Sequence, residues 1–100
     1  MAEPIRVSVD RELEGLVPRF LGNCSRDVGL IEAAIAQSDL DTTRRIGHSL
    51  KGVGGGYGFA EITRLGAAIE GAAIEGNAQA ALAALSALAA YVDAIEVEYV

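Results

Sequence analysis

Residues 47–59 read GHSLKGVGGGYGF and contain the single histidine of the chain, His48, together with six of its 12 glycines. At helical spacing, apolar residues recur around this stretch at intervals of four, three and four, which predicts one buried helix face. They are Ile46, Leu50, Val53 and Tyr57. Because His48 projects almost opposite to these residues on a helix, we expect its imidazole to be exposed to solvent.

The helix face predicted around His48 combines positive charge with residues that lack a side chain. From one turn before the histidine to two turns after it, this face carries Arg44, Arg45, Lys51, Gly52 and Gly55. A structural histidine in a core needs a place on the apolar face and a buried partner, and the periodicity denies His48 the first of these. His48 is therefore a candidate functional residue, although an exposed histidine without chemistry stays open on geometry alone.

The histidine and its neighbours resemble a known motif. The pattern His48-x-Leu50-Lys51-Gly52, followed by Gly58 ten residues after the histidine, is similar to the signature of histidine-containing phosphotransfer (HPt) domains. The complete glycine-rich run resembles a variant of that signature. Further matches are Phe20-Leu21, a helix closing near Asp39, Glu70 and the break at Gly76-Asn77. The resemblance extends over nearly the whole chain.

This resemblance implies a phosphoryl carrier in a two-component phosphorelay. His48 would accept the phosphoryl group from a phospho-aspartate of one receiver domain and pass it to the aspartate of another. The implied partners are response-regulator receiver domains and a hybrid sensor histidine kinase, with Mg²⁺ on the receiver and no cofactor on this chain. Arg44, Arg45 and Lys51 would complement the acidic phosphorylation pocket of a receiver.

The chemistry of the residues agrees with that role. A neutral imidazole is a nucleophile near pH 7. Lys51, one turn after His48, can lie against the phosphoryl oxygens and offset their charge. Gly52 leaves room for the phosphate and for the backbone of a partner, and Gly55 extends the same open face. Phosphoryl transfer depends mainly on positioning and electrostatics, so no second catalytic side chain is required of this chain.

The residues also leave one alternative function open, and they argue against two further classes of protein. In a non-catalytic helical interaction or dimerisation domain, His48 would have no chemistry. A kinase dimerisation domain also exposes a histidine on a bundle, but it normally comes with an ATP-binding domain, so we expect no autokinase activity. A nucleotide-binding P-loop places its glycines before the lysine, whereas Lys51 precedes most of the glycines here.

Composition favours a small helical domain. One hundred residues allow a single domain over residues 1–100. The composition, with 51% hydrophobic and only 5% aromatic residues, favours closely packed helices. A formal net charge of −6 opposes binding to nucleic acid, which needs a surplus of Lys and Arg. One cysteine and one histidine form neither a disulfide nor a structural zinc site. We predict no leader peptide and no membrane segment, and we expect a cytoplasmic monomer.

The periodicity predicts an all-α fold, an antiparallel up-down four-helix bundle with short polar links. Residues 1–10 are expected to form a short extended arm, because their alternating apolar residues have no second strand to pair with. The first helix, over residues 13–35, contains Pro18. We expect either a kink or a fresh start of the helix near that point, and we favour the kink because the apolar seam continues in phase across the proline.

The second helix is predicted to begin after Asp39, which is a suitable N-cap. Glycines in a helix interior cost ~1 kcal/mol each relative to alanine, so the run Gly54-Gly56 is either a loop or a helix held by close packing. We favour a helix through about Tyr57 that ends at Gly58.

Two further helices complete the predicted bundle. The third, over residues 60–75, is expected to bury Ile62, Leu65, Ile69 and Ala73. The fourth apolar seam runs from Ala81 to Tyr99. Glu70 is expected either to pair with an arginine of the second helix or to be solvated.

Overall fold

The computed structural model describes residues 3–100, so residues 1–2 of the predicted arm lie outside the described range. The elements are β1 (Ile5–Val9), α1 (Val17–Ala36), α2 (Leu40–Gly54), α3 (Ala60–Ile74), α4 (Ala78–Ala94) and β2 (Ile95–Tyr99), with 3-10 helices at Arg11–Leu13 and Gly55–Tyr57. α1 packs against α2 and α4, and α3 packs against the same two helices. The expected four-helix domain is therefore present. Within the described range, no helix has the length and hydropathy that crossing a bilayer requires.

The N-terminal arm is a β-strand. β1 pairs in parallel with β2, from Ile5 opposite Ile95 to Val9 opposite Tyr99. The expectation that the arm has no partner strand is wrong, because the C-terminal run also alternates apolar and polar residues and is rich in strand-forming types. The fourth helix ends at Ala94, so its apolar seam does not continue helically to the C-terminus.

α1 begins at Val17, which places Pro18 in its first turn. The favoured kink near Pro18 is wrong and the alternative, a fresh start of the helix, agrees with the structure, because α1 begins only at Val17 and the earlier segment forms the separate 3-10 helix Arg11–Leu13. A proline in the first turn removes no hydrogen bond, since the first four amides of an α-helix have no acceptor within the helix. From the start of α1 onward, the predicted seam is buried at Val17, Phe20, Cys24, Ile31 and Ile35.

The buried stripe of α2 agrees only in part with the one that its apolar residues predicted, since Leu50 is buried and Ile46 and Tyr57 are partly buried against the core. The buried residues are Thr43, Gly47, Leu50 and Gly54. Val53, which was expected on the buried face, is 42% exposed. The reason is that two glycines, which carry no hydropathy signal, form the closest contacts with α3 and turn the helix towards it.

The glycine run after α2 stays helical to its end. The 3-10 helix Gly55–Tyr57 continues α2, and Gly58 ends it at φ 89°, in the left-handed region that favours glycine. The predicted helix through about Tyr57, with Gly58 as its terminator, is confirmed. Tyr57 stacks on Phe20 at a ring-centroid distance of 4.4 Å, and Phe20 stacks on the fully buried Phe59. These rings attach the end of the segment to α1.

α3 runs antiparallel to α2. Gly47, in the middle of α2, lies against the backbone of Glu70, whereas Gly54, at the end of α2, lies against Thr63 further back along α3. The residues predicted to be buried on this helix are all buried, namely Ile62, Leu65, Ile69 and Ala73. This register places Glu70 at the level of His48.

Candidate functional site

His48 is exposed on the surface of α2, as predicted, with 64% of its side chain accessible. Its Nδ1 lies 2.6 Å from Oε2 of Glu70, which α3 supplies from across the helix interface. This is the one hydrogen bond that the imidazole makes within residues 3–100. The other ring nitrogen, Nε2, is therefore left without a partner in the described part of the chain.

Glu70 accepts hydrogen bonds from two basic groups at once. Its Oε1 accepts a hydrogen bond of 2.7 Å from Nζ of Lys51, while its Oε2 contacts His48. The Glu70 side chain is only 14% exposed, so it lies between the helices rather than on the surface. The hydrogen bond from Lys51, followed by that from His48, lowers the pKa of the Glu70 carboxyl from its ordinary value of 4.5. The carboxylate is accordingly ionised at neutral pH.

The ionisation of Glu70 determines which ring nitrogen of a neutral His48 carries the proton. A carboxylate can only accept hydrogen bonds, so Nδ1 must be the donor in the 2.6 Å contact. In the neutral imidazole the second nitrogen, Nε2, then holds a free lone pair. The site thus presents an exposed imidazole with a free lone pair at Nε2, and the ring is held through Nδ1.

The two arginines of the predicted site lie on the exposed surface one turn before His48. Arg44 and Arg45 each pair with Asp41 of the same helix, at 3.1 and 3.2 Å. Exposed pairs of this kind contribute roughly 0–1 kcal/mol and exchange readily with other anions. The arginines therefore lie near His48 without contacting it, and their charge is partly balanced by Asp41.

The two glycines of the predicted site differ in their surroundings. A Cβ built on Gly52 would meet nothing within 4 Å, so the surface one turn after His48 is open. Gly55 lies at the start of the 3-10 helix, where its amide donates a 2.7 Å hydrogen bond to Oγ1 of Thr63. Gly55 thereby also ties the end of α2 to α3.

Glu70 is the site residue whose position the sequence did not reveal. The expected alternatives, pairing with an arginine of α2 or full solvation, are both wrong, because Glu70 binds His48 and Lys51. These residues lie 22 and 19 positions away in the sequence, and only the register between two antiparallel helices brings them together. In the sequence, Glu70 stood out only as one of the residues that match the HPt pattern, and that match assigns it no partner.

Comparison with known protein families agrees with this geometry. The family model described as Hpt domain matches residues 15–98. Because the match covers most of the chain, this protein belongs to the family of histidine-containing phosphotransfer domains. Domains of this family take part in histidine phosphotransfer in two-component signalling, where they interact with receiver domains and kinases. No significant match was found among curated proteins or among solved structures.

Proposed function

We propose that His48 is the phosphorylated residue of this domain and that Nε2 is its nucleophilic atom. The observation that carries the proposal is an exposed imidazole with a carboxylate at Nδ1. The hydrogen bond from Nδ1 to Glu70 favours one tautomer and leaves the lone pair of Nε2 directed away from that contact. A phosphoryl group on a partner can approach Nε2 without displacing a group of this chain.

The proposed transfer forms one bond and breaks one. The lone pair of Nε2 attacks the phosphorus of an aspartyl phosphate on a receiver domain, and an N–P bond forms. The P–O bond to the aspartate breaks, and its electron pair remains on the aspartate carboxylate. The ring keeps its proton at Nδ1 and becomes cationic, and the carboxylate of Glu70 stabilises that charge. Transfer to the aspartate of a second receiver reverses these steps.

Lys51 supplies positive charge to the transferred group in this proposal. Its ammonium has three donors, of which one is directed to Glu70, and 39% of the side chain is exposed. Two donors therefore remain for phosphoryl oxygens on His48, one turn earlier in α2. The contact with Glu70 holds the flexible side chain near the place where the phosphoryl group would arrive.

The receiver docks on the exposed face of α2 that surrounds His48. The open space at Gly52 admits the backbone of the partner. Gly55, two turns after His48, is also exposed and is proposed as a further partner contact, although an added Cβ there would lie 3.5 Å from Oγ1 of Thr63. Arg44 and Arg45 can exchange their exposed pairs with Asp41 for the acidic pocket of a receiver, because weak surface pairs cost little to break.

The remaining features of the proposal follow from this docking mode. The partners are receiver domains of response regulators and of a hybrid sensor histidine kinase, and the receiver holds the Mg²⁺. We also propose that residues 1–100 act as one domain and that this domain is a cytoplasmic monomer. An up-and-down course of all four helices is supported by short links, residues 37–39 between α1 and α2 and residues 75–77 between α3 and α4.

Transfer from a phosphorylated receiver domain tests the proposal. The wild-type chain should acquire an acid-labile, base-stable label, and His48→Gln should acquire none while its helical circular dichroism stays intact. Ser86→Ala, an exposed change on α4, is the matched control and should label like the wild type. Label that survives His48→Gln would contradict the assignment. A wild-type chain that accepts no label from any receiver would favour the alternative, a non-catalytic helical interaction or dimerisation domain.

A further inference from the structure

The separation between α2 and α3 beside His48 is set by two glycines that face each other. A Cβ on Gly47 would lie 2.9 Å from the backbone nitrogen of Glu70, and one on Gly66 would lie 2.6 Å from the backbone nitrogen of Lys51. Ordinary van der Waals contact begins at 3.4 Å. Because the opposing atoms belong to the backbone, no side-chain rotation relieves either clash. A Cβ at either position would therefore push the two helices apart.

This glycine pair lies at the level of the site. Gly47 directly precedes His48 and lies one turn before Lys51, and Gly66 lies one turn before Glu70. At the present helix separation, the Glu70 oxygens are 2.6 Å from Nδ1 of His48 and 2.7 Å from Nζ of Lys51. Both hydrogen bonds cross the interface that the glycines close, so both depend on how closely the helices approach.

We propose that Gly47 and Gly66 are positioning residues, which hold Glu70 within hydrogen-bond distance of His48 and Lys51. An N–H···O hydrogen bond is lost beyond about 3.5 Å, so a retreat of α3 by less than one ångström disrupts both contacts. The spacing of the helices, and not only the presence of a carboxylate, then sets the tautomer of His48. The expected effect on phosphoryl transfer rests on the function proposed above, whereas the tautomer can be measured without a partner.

Two other glycines provide matched controls. A Cβ on Gly54 would lie 2.8 Å from the backbone nitrogen of Thr63, so it also forces α2 and α3 apart. Gly54 lies two turns from Gly47, about 10 Å along the helix axis, and away from the Glu70 contacts. Gly71 directly follows Glu70 but would meet nothing within 4 Å. The first controls for lost packing, and the second controls for a change of helix propensity.

The experiment measures the tautomer of His48 by ¹⁵N NMR on the full-length chain with labelled histidine, well below the melting temperature of each variant. In the wild type, Gly54→Ala and Gly71→Ala, the proton of the neutral ring should stay on Nδ1. In Gly47→Ala and Gly66→Ala it should move to Nε2 in most molecules. Gly54→Ala should lower the melting temperature as the two site variants do, which separates positioning from stability.

Transfer kinetics supply the second readout. Gly47→Ala should accept the phosphoryl group from a receiver at least about tenfold more slowly, the effect of losing a hydrogen bond to a charged group. In a Glu70→Ala background, Gly47→Ala should cause no further loss, because the contact it disrupts is already absent. Gly54→Ala should transfer at the rate of the wild type in both backgrounds.

Several outcomes would overturn the inference. It fails if the wild type lacks the proton on Nδ1, if Gly47→Ala keeps that proton and the normal rate, or if Gly54→Ala shifts the tautomer equally. Should Gly66→Ala not fold, Gly47→Ala alone decides, since its clash is milder. A tautomer that shifts as expected in a chain that accepts no phosphoryl group would support the spacing inference and overturn the proposed function.

Discussion

Four glycines of the His48 helix and of its 3-10 extension fall into two groups that differ in what surrounds them. Gly47 and Gly54 face α3, where an added Cβ would come to 2.9 and 2.8 Å from its backbone. Gly52 and Gly56 face open space, with nothing within 4 Å. One group brings two helices together, and the other leaves a bare surface beside His48. Glycine therefore allows close helix packing on one side of the segment and leaves the other side accessible to solvent.

The difference shows how glycine should be interpreted in this helix. Each glycine costs ~1 kcal/mol of helix stability relative to alanine. At Gly47 and Gly54 the close packing of α3 offsets that cost, because no larger residue fits there. At Gly52 nothing offsets it, since the position would accept a side chain without any clash. Gly22 and Gly71 are equally open, so an unfilled glycine alone does not indicate a function. Gly52 differs from them in lying one turn after the histidine, and we propose that it keeps this surface accessible to the receiver.

Filling the open space at Gly52 should have the largest effect on phosphoryl transfer. Gly52→Gln should slow transfer from a phosphorylated receiver about a hundredfold, because a small displacement of the reacting groups costs that much. The same change should raise the free energy of unfolding by up to about 1 kcal/mol, since glutamine is the better helix former. Transfer rates and urea unfolding are measured on the same samples.

The matched control for this variant is Gly22→Gln on α1, where the glycine also meets nothing within 4 Å. It should stabilise the chain similarly and leave transfer unchanged. If Gly52→Gln transfers at the normal rate, Gly52 lies outside the docking surface and the functional interpretation of the open face is wrong.

The charged residues should show a smaller effect that separates into two steps. Lys51→Ala should lower the rate of transfer within the complex about tenfold, because a hydrogen bond to a charged group is worth roughly 1.5–3 kcal/mol. Replacing both Arg44 and Arg45 by alanine should instead lower the association rate by a few fold and reduce its dependence on salt.

Single-turnover transfer at several receiver concentrations and two ionic strengths distinguishes these steps. The rate at saturation isolates the transfer within the complex, and screening over a Debye length of ~10 Å at 0.1 M salt weakens the steering. If Lys51→Ala changes only the half-saturating concentration, Lys51 is a docking residue and has no role in the transfer step.

The smallest effect should come from Glu70, on the side of the His48 helix that packs against α3, and this effect on stability should depend on pH. Because Lys51 and then His48 lower the folded-state pKa of Glu70 below 4.5, folding favours its ionised form. The resulting stability is fully present above the unfolded-state pKa and is lost as pH falls through the lower folded-state value. In denaturant unfolding at several pH values, the advantage of the wild type over Glu70→Gln should therefore shrink below about pH 4.5.

Asp27 provides the control of opposite sign. Burial raises the pKa of this carboxyl from its ordinary 3.8, so folding favours its protonated form. Relative to Asp27→Asn, the wild type should accordingly lose stability as pH rises through this range.

If the stability advantage of the wild type over Glu70→Gln instead grows on acidification, Glu70 is not held ionised by its two partners.

The sequence was sufficient to predict the features that depend on one helix alone. The exposure of His48, the N-cap at Asp39 and the termination at Gly58 all follow from local periodicity and backbone chemistry. The start of α1 near Pro18 was one of two alternatives, and the kink was wrongly preferred because the apolar seam passes through Pro18 in phase. Proline is equally compatible with a first turn and with a kink, so periodicity alone could not separate the two.

Features that depend on two elements were harder to predict. Ile95 and Tyr99 lie four residues apart and therefore also fit a helical seam. The alternation of apolar and polar residues between them indicates a strand only once β1 is available to pair with it. Likewise, Glu70 reaches His48 through a helix register that glycines set, and glycine leaves no trace in a hydrophobic pattern. Val53 was misplaced for the same reason.

The central claim is that Nε2 of His48 carries the phosphoryl group while Glu70 holds the proton at Nδ1. The most direct test is NMR detection of coupling between phosphorus and the labelled ring nitrogens after phosphorylation of the chain by a receiver domain. Our account predicts a single phosphohistidine with phosphorus bonded to Nε2 and the ring proton retained on Nδ1. Phosphorus bonded to Nδ1, or to any residue other than His48, would contradict it.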